Sequence, residues 1–384
     1  MKKYILLSYP DSVNFSGQTR ASEIIFDKLG NNNPHNITKL IFPAYKRGLN
    51  SINSKIIYII DLFRYGLKLF FLLFKNFDLV ILNTGQTKNK LFLHSLPILI
   101  LFRHIKKYPI ITSLHGNDFL KWSQNSSKLN LLFFLFKNSR LITTLGEKQE
   151  NFLKNNSIYN FLRVFNTTEI RPLSPADIEQ KHKQNPQKVL HLSLLIESKG
   201  FMEYIEALEI VARQSISSSN FTAILCGPTH STSQCIKLVS NSEKEQWINN
   251  EINKLLIEGI ELKWIKGAYG KDKQELFNDS TIFVFPSTFG TESSPIVLVE
   301  AAAAGCAIIS SKIGEISSAF STDDVFYIEN TSPKVIAQAI TYLLENKKYR
   351  IELAKNARKR FDDFFSKEAY LRNWNNIINN NSKY

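Results

Sequence analysis

The stretch FPSTFGTESSPIVLVEAAAAG, from Phe285 to Gly305, has the pattern of a strand, a loop and a helix. The apolar run that ends at Phe285 is typical of a buried strand, and the alanine-rich run before Gly305 is typical of a helix. Glu292 lies in the polar loop between them, and Glu300 lies eight residues later, inside the helix. A strand that leads through a loop into a helix is the repeating unit of α/β folds with a parallel sheet.

Short apolar strands alternate with helical segments on both sides of this stretch. The predicted strands are residues 4–8, 79–83, 110–114, 141–145 and 162–165 in the first half, and 189–192, 222–226, 262–265, 282–285, 307–310 and 325–328 in the second half. This alternation predicts two doubly wound parallel sheets. A chain of 384 residues is also too long for one hydrophobic core.

The expected domain organisation has four parts. An N-terminal Rossmann-like domain covers residues 1–172, a linker 173–187, a second Rossmann-like domain 188–365, and a helix that packs back on the first domain 366–384. The linker is expected because residues 173–187 are polar and contain two prolines. Ligands of open α/β sheets bind beyond the carboxyl ends of the strands, so the two domains are expected to face a central cleft.

Charge is distributed unevenly along the chain, whose formal net charge is +14. Residues 1–180 carry 24 lysines and arginines against 11 acidic residues, a balance of +13. A basic half indicates an anionic partner: a membrane surface, a nucleic acid or a phosphorylated substrate. Nucleic acid is not expected, because the sequence has no helix-turn-helix, zinc-finger or aromatic RNP motif.

Three apolar stretches of this half, residues 56–74, 91–102 and 129–136, have basic edges. None is expected to span a bilayer, because the first contains charged residues and the other two are too short. Two interpretations stay open, namely helices buried in an α/β core and a surface that rests on anionic lipid.

The three cysteines Cys226, Cys235 and Cys306 are scattered, which argues against a disulfide framework and against a zinc site. No signal peptide is recognised. We therefore expect a cytoplasmic protein, peripheral on the inner membrane face.

The region around Glu292 suits a phosphorylated ligand. Ser293, Ser294, Pro295 and Ile296 are predicted to form the first turn of the following helix, where free N–H groups and the helix dipole favour a pyrophosphate. Glu300 is costly to bury in an apolar helix without a hydrogen-bonding partner such as sugar hydroxyls. An ordinary capped helix with a surface glutamate is the alternative interpretation.

The Glu-x7-Glu spacing, the preceding strand and the small-residue helix through Gly305 resemble the family 4 retaining glycosyltransferases with the GT-B fold. The resemblance is clear over residues 189–318. It implies that Glu292 contacts the donor sugar and that Glu300 holds the ribose hydroxyls of a nucleotide-sugar, such as a UDP- or GDP-sugar.

A second motif, HLSLLIESKG from His191 to Gly200, is similar to the opening of that family's C-terminal domain. The resemblance implies that Lys199 neutralises the donor diphosphate as a point charge. The family often has an arginine five residues before this lysine, where this chain has Leu194. This departure removes one phosphate clamp.

The remaining motifs follow predicted strands. His115, before Gly116, matches a His-Gly pair that faces the donor sugar, which implies a hydrogen bond to a sugar hydroxyl or to a developing charge. Gly17 stands where the family usually has two adjacent glycines, close to a phosphate or the acceptor. Gly227 and Gly270 match loosely, and the resemblance places the loop of Gly270 near the nucleotide base.

Together these residues predict sugar transfer with retention from a nucleotide-sugar to an acceptor hydroxyl, with His115, Glu292 and Lys199 at the reacting centre. No cofactor and no metal are expected, because there is no DxD signature and GT-B enzymes generally need none. The expected acceptor is a glycan or lipid-linked glycan of bacterial surface polysaccharide synthesis. Two alternatives stay open: another GT-B nucleotide-sugar enzyme, such as an epimerase or hydrolase, and a non-catalytic nucleotide-sugar-binding assembly partner.

Overall fold

The computed structural model describes residues 3–11, 17–30, 35–44, 52–214, 221–232 and 235–379. They form two compact units, of which the first takes in the described residues up to Thr167 together with the C-terminal helix, and the second runs from Thr168 to Ser366. Each unit is built on a six-stranded parallel sheet with helices, so the predicted fold class is confirmed.

The first sheet has the strand order β2-β1-β3-β4-β5-β6. Its strands are β1 (Tyr4–Pro10), β2 (Asn36–Phe42), β3 (Leu79–Thr84), β4 (Ile110–Leu114), β5 (Leu141–Thr144) and β6 (Phe161–Arg163). Strand β2 is absent from the sequence prediction. It lies at the sheet edge and is only partly buried, so its sequence lacks the apolar run of a central strand.

Helices connect these strands. They are α1 (Gly17–Gly30), α2 (Ile52–Leu72), α3 (Lys88–Lys90), α4 (Leu96–Ile98), α5 (Ser127–Asn138) and α6 (Glu147–Asn155). The short α3 and α4 alternate with π-helical turns at Leu91–Ser95 and Leu99–Ile105. Successive strand residues face opposite sides of the sheet: Leu6 and Val80 lie in one hydrophobic core and Ile5 and Ile81 in the other.

The second sheet has the order β12-β11-β10-β7-β8-β9. Its strands are β7 (Gln187–Leu192), β8 (Phe221–Cys226), β9 (Glu261–Ile265), β10 (Ile282–Phe285), β11 (Ala307–Ser311) and β12 (Phe326–Ile328). From β7 the order continues to β8 and β9 on one side, and from β10 it continues to β11 and β12 on the other. The loops after these two neighbouring strands therefore flank the topological switch point, where doubly wound sheets bind ligands.

The helices of the second unit are α7 (Pro175–Lys181), α8 (Phe201–Gln214), α9 (Asn241–Ile257), α10 (Gly270–Asp279), α11 (Ile296–Ala303), α12 (Ile316–Ala319), α13 (Pro333–Glu345) and α14 (Lys347–Arg360). The segment expected as a linker packs on this unit. The buried Lys181 donates from Nζ to the carbonyls of Phe277 (2.8 Å) and Ala304 (2.7 Å), so a residue that reads as polar linker fixes α7 in place.

The C-terminal helix α15 (Lys367–Asn379) belongs to the first unit. Its buried side chains Tyr370, Trp374, Ile377 and Ile378 lie in the same core as Ile5. The Tyr370 hydroxyl donates to the carbonyl of Ala21 at 3.2 Å. This helix therefore completes one face of the first sheet although the second unit precedes it in the chain.

Candidate functional site

Lys199 and Glu292 meet at the switch point of the second sheet. Lys199 ends a 3-10 turn (Glu197–Lys199) after β7, and Glu292 lies in the loop after β10. The Lys199 ammonium forms an ion pair with the Glu292 carboxylate. The side chains are only 17% and 10% exposed, so the two predicted residues form one largely buried pair.

Glycine at position 200 allows these two loops to approach each other. Gly200 has a φ of +79°, and a Cβ atom there would lie 2.4 Å from the carbonyl oxygen of Pro286. The close approach lets the Thr288 N–H donate to the Ser198 carbonyl at 2.8 Å. The loop that carries Lys199 is thus hydrogen-bonded to the loop that carries Glu292.

The loop after β11, which contains Gly314, supports the backbone of Glu292. Gly314 has a φ of +58°, and a Cβ atom there would lie only 1.7 Å from the Glu292 carbonyl oxygen. The same oxygen accepts a hydrogen bond from the Glu315 N–H at 3.1 Å. The sequence prediction missed Gly314, because its contact joins residues on different loops.

Two aromatic rings lie next to the Lys199 ammonium. The Lys199 Nζ atom lies 4.7 Å from the ring centroid of Phe289 and 5.6 Å from that of Phe285. A lysine held by a carboxylate and ring faces is desolvated and oriented. It is suited to exchange the carboxylate for a more highly charged diphosphate.

The helix after Glu292 begins later than predicted. Helix α11 starts at Ile296 with Pro295 as its N-cap, so Ser293, Ser294 and Pro295 precede the helix and do not form its first turn. The residue before a proline is pushed out of the helical region, which explains the late start at this Ser-Pro bond. Of the predicted phosphate-binding residues, Ile296 alone belongs to the first helical turn.

Glu300 lies inside α11 and is 5% exposed. Its Oε1 atom accepts from Lys273 Nζ at 2.6 Å and from Thr168 Oγ1 at 3.4 Å. Its Oε2 atom is buried and has no hydrogen-bond partner among the described residues. One oxygen of this carboxylate therefore accepts hydrogen bonds, and the other accepts none from the described residues.

Lys273 is the main residue of this site that the sequence prediction missed. It lies in the first turn of α10, one turn before the buried Leu276 and Phe277. Spacing of three and four residues puts Lys273 on the same helix face as this apolar pair. That periodicity was the available signal that this lysine points inward.

His115 follows β4 in the first unit and is partly exposed. Its Nε2 atom lies 3.1 Å from Ser113 Oγ. Desolvation of the ring lowers the pKa of His115 to about 4, and a hydrogen bond with Asn166 partly offsets this effect. At neutral pH the side chain is a neutral imidazole, which is able to donate or accept one hydrogen bond but carries no charge.

Two glutamines shape the loop of His115. The Gly116 carbonyl accepts from Gln149 Nε2 at 3.1 Å and also from Gln86 Nε2. Gln149 is fully buried and reaches Asn117 Oδ1 at 2.9 Å as well. Neither glutamine was predicted, because their sequence neighbourhoods show no motif.

The remaining predicted glycines lie at the ends of helices and strands. Gly17 is the first residue of α1, and the loop before it, residues 12–16, lies outside the described part of the chain. Gly227 directly follows β8, and its N–H donates to the Ile265 carbonyl at 2.8 Å. Gly270 begins α10, and Leu194, at the family's arginine position, is 42% exposed.

Within the described ranges, no three His, Cys, Asp or Glu side chains come together in a way that would hold a metal ion. The cations that line the second-unit site are Lys199 and Lys273.

The first unit has a second unusual surface, on helix α2. One side of the helix, with Tyr65, Leu69 and Leu72, is buried in the core. The opposite side exposes apolar residues, namely Ile56, Ile59, Ile60, Phe63, Leu67, Phe70 and Phe71. No helix among the described residues has the length and apolar character needed to cross a bilayer.

The three apolar stretches therefore differ. Residues 91–102 and 129–136 place most of their large side chains in the core, among them Leu99, Phe102, Leu132 and Phe136. Only α2, within residues 56–74, presents a continuous exposed apolar face, which we call the α2 face. The buried interpretation holds for the second and third stretches.

Comparison with known proteins finds a family model that matches part of the chain, within the second unit. Residues 175–360 match the family model of Glycosyl transferases group 1. A 116-residue stretch is 33% identical to the N,N'-diacetylbacillosaminyl-diphospho-undecaprenol alpha-1,3-N-acetylgalactosaminyltransferase of Campylobacter jejuni. That match covers 28% of this chain and 30% of the relative.

Solved structures share the whole fold. Anabaena HepE in complex with UDP and glucose matches 98% of this chain and 99% of its own at 16% identity, with a TM-score of 0.68. The sucrose-phosphate synthase of Thermosynechococcus elongatus matches 98% of each chain at 14% identity, with a TM-score of 0.67. At these identities the similarity shows the fold.

Proposed function

We propose that this chain, whose residues 175–360 form a glycosyl transferases group 1 domain, transfers a sugar from a nucleotide-sugar to an acceptor hydroxyl with retention of configuration. The observation that carries the proposal is the Lys199–Glu292 pair at the switch point of the second sheet. A cation, a carboxylate and a helix N-terminus converge where this fold binds ligands.

Each residue has a proposed role in the reaction. Lys199 moves from Glu292 to the donor diphosphate and, with the N-terminus of α11 at Ile296, stabilises the negative charge of the leaving nucleotide. Glu292, released from the lysine, accepts hydrogen bonds from the donor sugar. Glu300 accepts from the ribose hydroxyls.

Retention is proposed from the family resemblance, by attack on the same face as the leaving group, and no carboxylate is assigned as a nucleophile. His115, as a neutral imidazole, would hydrogen-bond the sugar, and Gly17 would lie near a phosphate or the acceptor. Gly227 and the loop of Gly270 would border the nucleotide. We propose that no metal is needed, because Lys199 and the helix dipole already oppose the developing charge; loss of activity on EDTA treatment would reject this.

The donor site is tested by thermal unfolding of the full chain with UDP, GDP, ADP and their sugars. A ligand at about 100 times its dissociation constant stabilises the protein by about 2.7 kcal/mol. We expect one nucleotide to give this shift and Glu300→Gln to abolish it, while Glu345→Gln, an exposed glutamate at the end of α13, keeps it. If no nucleotide shifts the wild type, the proposed function fails.

Turnover separates transfer from the two alternatives. Release of free sugar or an altered sugar nucleotide without acceptor would indicate a hydrolase or an epimerase. Binding without turnover on any acceptor would indicate an assembly partner, for which the exposed Leu194 in place of an arginine is the motivating observation.

We further propose that the protein works as a peripheral protein at the cytoplasmic face of the membrane, on a lipid-linked glycan of bacterial surface polysaccharide synthesis. The Campylobacter relative is named for an undecaprenol diphosphate-linked acceptor. Residues 1–180 of this chain carry the balance of +13, which complements anionic lipid.

The α2 face supports this membrane contact. At 100° per residue, Phe63, Leu67 and Phe71 lie opposite the buried Tyr65 and Leu69. The exposed Arg64 and Lys68 follow one flank of this apolar stripe. An apolar stripe with a basic flank is typical of a helix that lies in the headgroup region with its rings in the acyl layer.

Vesicle sedimentation tests this contact. The full chain is expected to bind vesicles of phosphatidylglycerol and phosphatidylcholine, less strongly at high salt. Phe63→Ser with Phe71→Ser is expected to weaken binding at least about tenfold, because each ring contributes about 1.5–3 kcal/mol when buried. The matched control is Leu256→Ser with Ile257→Ser, two exposed apolar residues of the second unit.

Two results would reject the membrane contact. One is equal vesicle binding by both double variants. The other is a wild type that ignores vesicles and forms a dimer that Phe63→Ser with Phe71→Ser dissociates, which would make the α2 face an interface between two copies.

A further inference from the structure

We propose that Lys273 is a positioning residue, which orients the Glu300 carboxylate for the ribose of the donor nucleotide. This inference rests on the function proposed above. It assigns the ribose selectivity of the site to a pair of residues, Lys273 and Glu300, and not to the glutamate alone.

Burying Glu300 is costly without a partner. Its side chain is 6% exposed and lies in the apolar run of α11. An ionised carboxylate in such a place is stable only with a charged or hydrogen-bonding partner. Lys273 provides that charge through Oε1 at 2.6 Å, with Thr168 Oγ1 as a weaker second donor at 3.4 Å.

The other carboxylate oxygen of Glu300 differs from Oε1. Oε2 is buried and lacks a hydrogen-bond partner among the described residues. Buried polar atoms in native proteins almost always have a partner, and an exception points to a ligand. Because Lys273 and Thr168 both bind Oε1, they leave Oε2 as a single, fixed acceptor.

Lys273 is itself held in place by its helix. It lies in the first turn of α10, whose Leu276 and Phe277 are buried on the same face. Its side chain is 23% exposed. The lysine stem is therefore partly packed, and the ammonium is set at Glu300 before any nucleotide arrives.

A single fixed acceptor has a chemical consequence. It binds a ligand hydroxyl strongly, and it is left unpaired by an analogue that lacks the hydroxyl. Without Lys273, the carboxylate loses its orientation and its preference for the hydroxyl. Selectivity between ribonucleotides and deoxyribonucleotides is the readout that a merely structural lysine would not change.

The experiment measures dissociation constants of the full chain by calorimetry for UDP, GDP and ADP and for their 2′-deoxy and 3′-deoxy forms. In the wild type we expect at least one deoxy form to bind about ten times more weakly than its ribonucleotide. Lys273→Met should weaken the ribonucleotide about tenfold and abolish this preference. Lys273→Arg, which keeps the charge, should restore most of it.

Lys271→Met is the matched control, because Lys271 lies two residues away on α10 and is 87% exposed. It should behave as the wild type. If Lys273→Met keeps the full preference for the ribonucleotide, even with a lowered melting temperature, the inference is wrong although the proposed function stands. If the wild type binds no nucleotide, the proposed function fails and the inference with it.

Discussion

The two units of this chain depart from the usual distribution of polar and apolar residues in opposite ways. The second unit buries charge, in the Lys199–Glu292 pair of the loops after β7 and β10 and in the Lys273–Glu300 pair, which joins α10 and α11. The first unit exposes apolar side chains on the α2 face. Buried charge and a large exposed apolar face both cost stability, so neither is explained by folding alone.

The two features suit different kinds of ligand in the function proposed above. In the second unit the buried charges have partners within the protein. In the proposed function a diphosphate replaces Glu292 at Lys199, whereas a ribose hydroxyl binds Glu300 while Lys273 stays paired with it. In the first unit the apolar side chains face solvent, and contact with an apolar surface, which we propose to be lipid, would remove them from water. Features that local folding rules fail to explain are expected at functional sites.

The largest effect is expected from removing the buried cation. Lys199→Met should lower kcat about 100- to 1000-fold, because an electrostatic donor to the leaving group is lost. Lys188→Met is the control: Lys188 forms a surface ion pair with Asp279 at 2.8 Å. Initial rates with saturating donor measure both. A decrease in kcat below tenfold for Lys199→Met would contradict the role of the buried pair.

The next effect is on the free energy of unfolding, and it should differ between the buried and the exposed side of α2. Leu72→Ala should lower the free energy of unfolding by about 3 kcal/mol, because Leu72 is buried in the core. Phe71→Ala, one residue earlier, should change it by less than about 0.5 kcal/mol, because Phe71 is 64% exposed. Urea unfolding of both variants is the measurement. Equal destabilisation would mean that the α2 face contributes to folding, which would remove the reason to assign it a lipid partner.

The same contrast explains what the sequence was able to predict. Lys199 and Glu292 were predictable because each follows a strand within a recognisable motif, and parallel strands bring their carboxyl ends together. Glu300 was predictable as a buried charge in an apolar helix. The partner of Glu300 was not, since Lys273 reaches it from another helix and only helical spacing hinted at its direction.

The sequence prediction also failed at strand β2 and at the start of helix α11. The edge strand β2 is too polar to be read as a strand, and Ser293–Pro295 precede α11 because of a single Ser-Pro bond. Helix α2 is apolar on most of its circumference. The sequence therefore left open whether its rings pack inside or face outward, and only the position of Tyr65 and Leu69 in the core decides this.

The smallest effect concerns buried groups of the second unit that have no carboxylate partner. Burial lowers the pKa of His182 to about 3 and that of His191 to about 4. His182 Nδ1 lies 3.3 Å from Arg350 Nε, and Nε2 lies 3.0 Å from the Gly305 carbonyl, so a second proton on this ring would face a guanidinium. These rings are therefore neutral at pH 7.

Stability should therefore depend on pH in a defined direction. The folded pKa values lie below the unfolded value of about 6.5, so the unfolded state binds more protons as the pH falls. The stability is fully present above about pH 6.5 and is lost towards pH 4, by about 0.7 kcal/mol for each histidine between pH 7 and pH 6. Urea unfolding at the two pH values should show this loss, and His182→Gln should show a smaller one. An unchanged slope in His182→Gln would mean that the ring accepts a proton inside the fold, and that this unit tolerates buried charge without a carboxylate beside it.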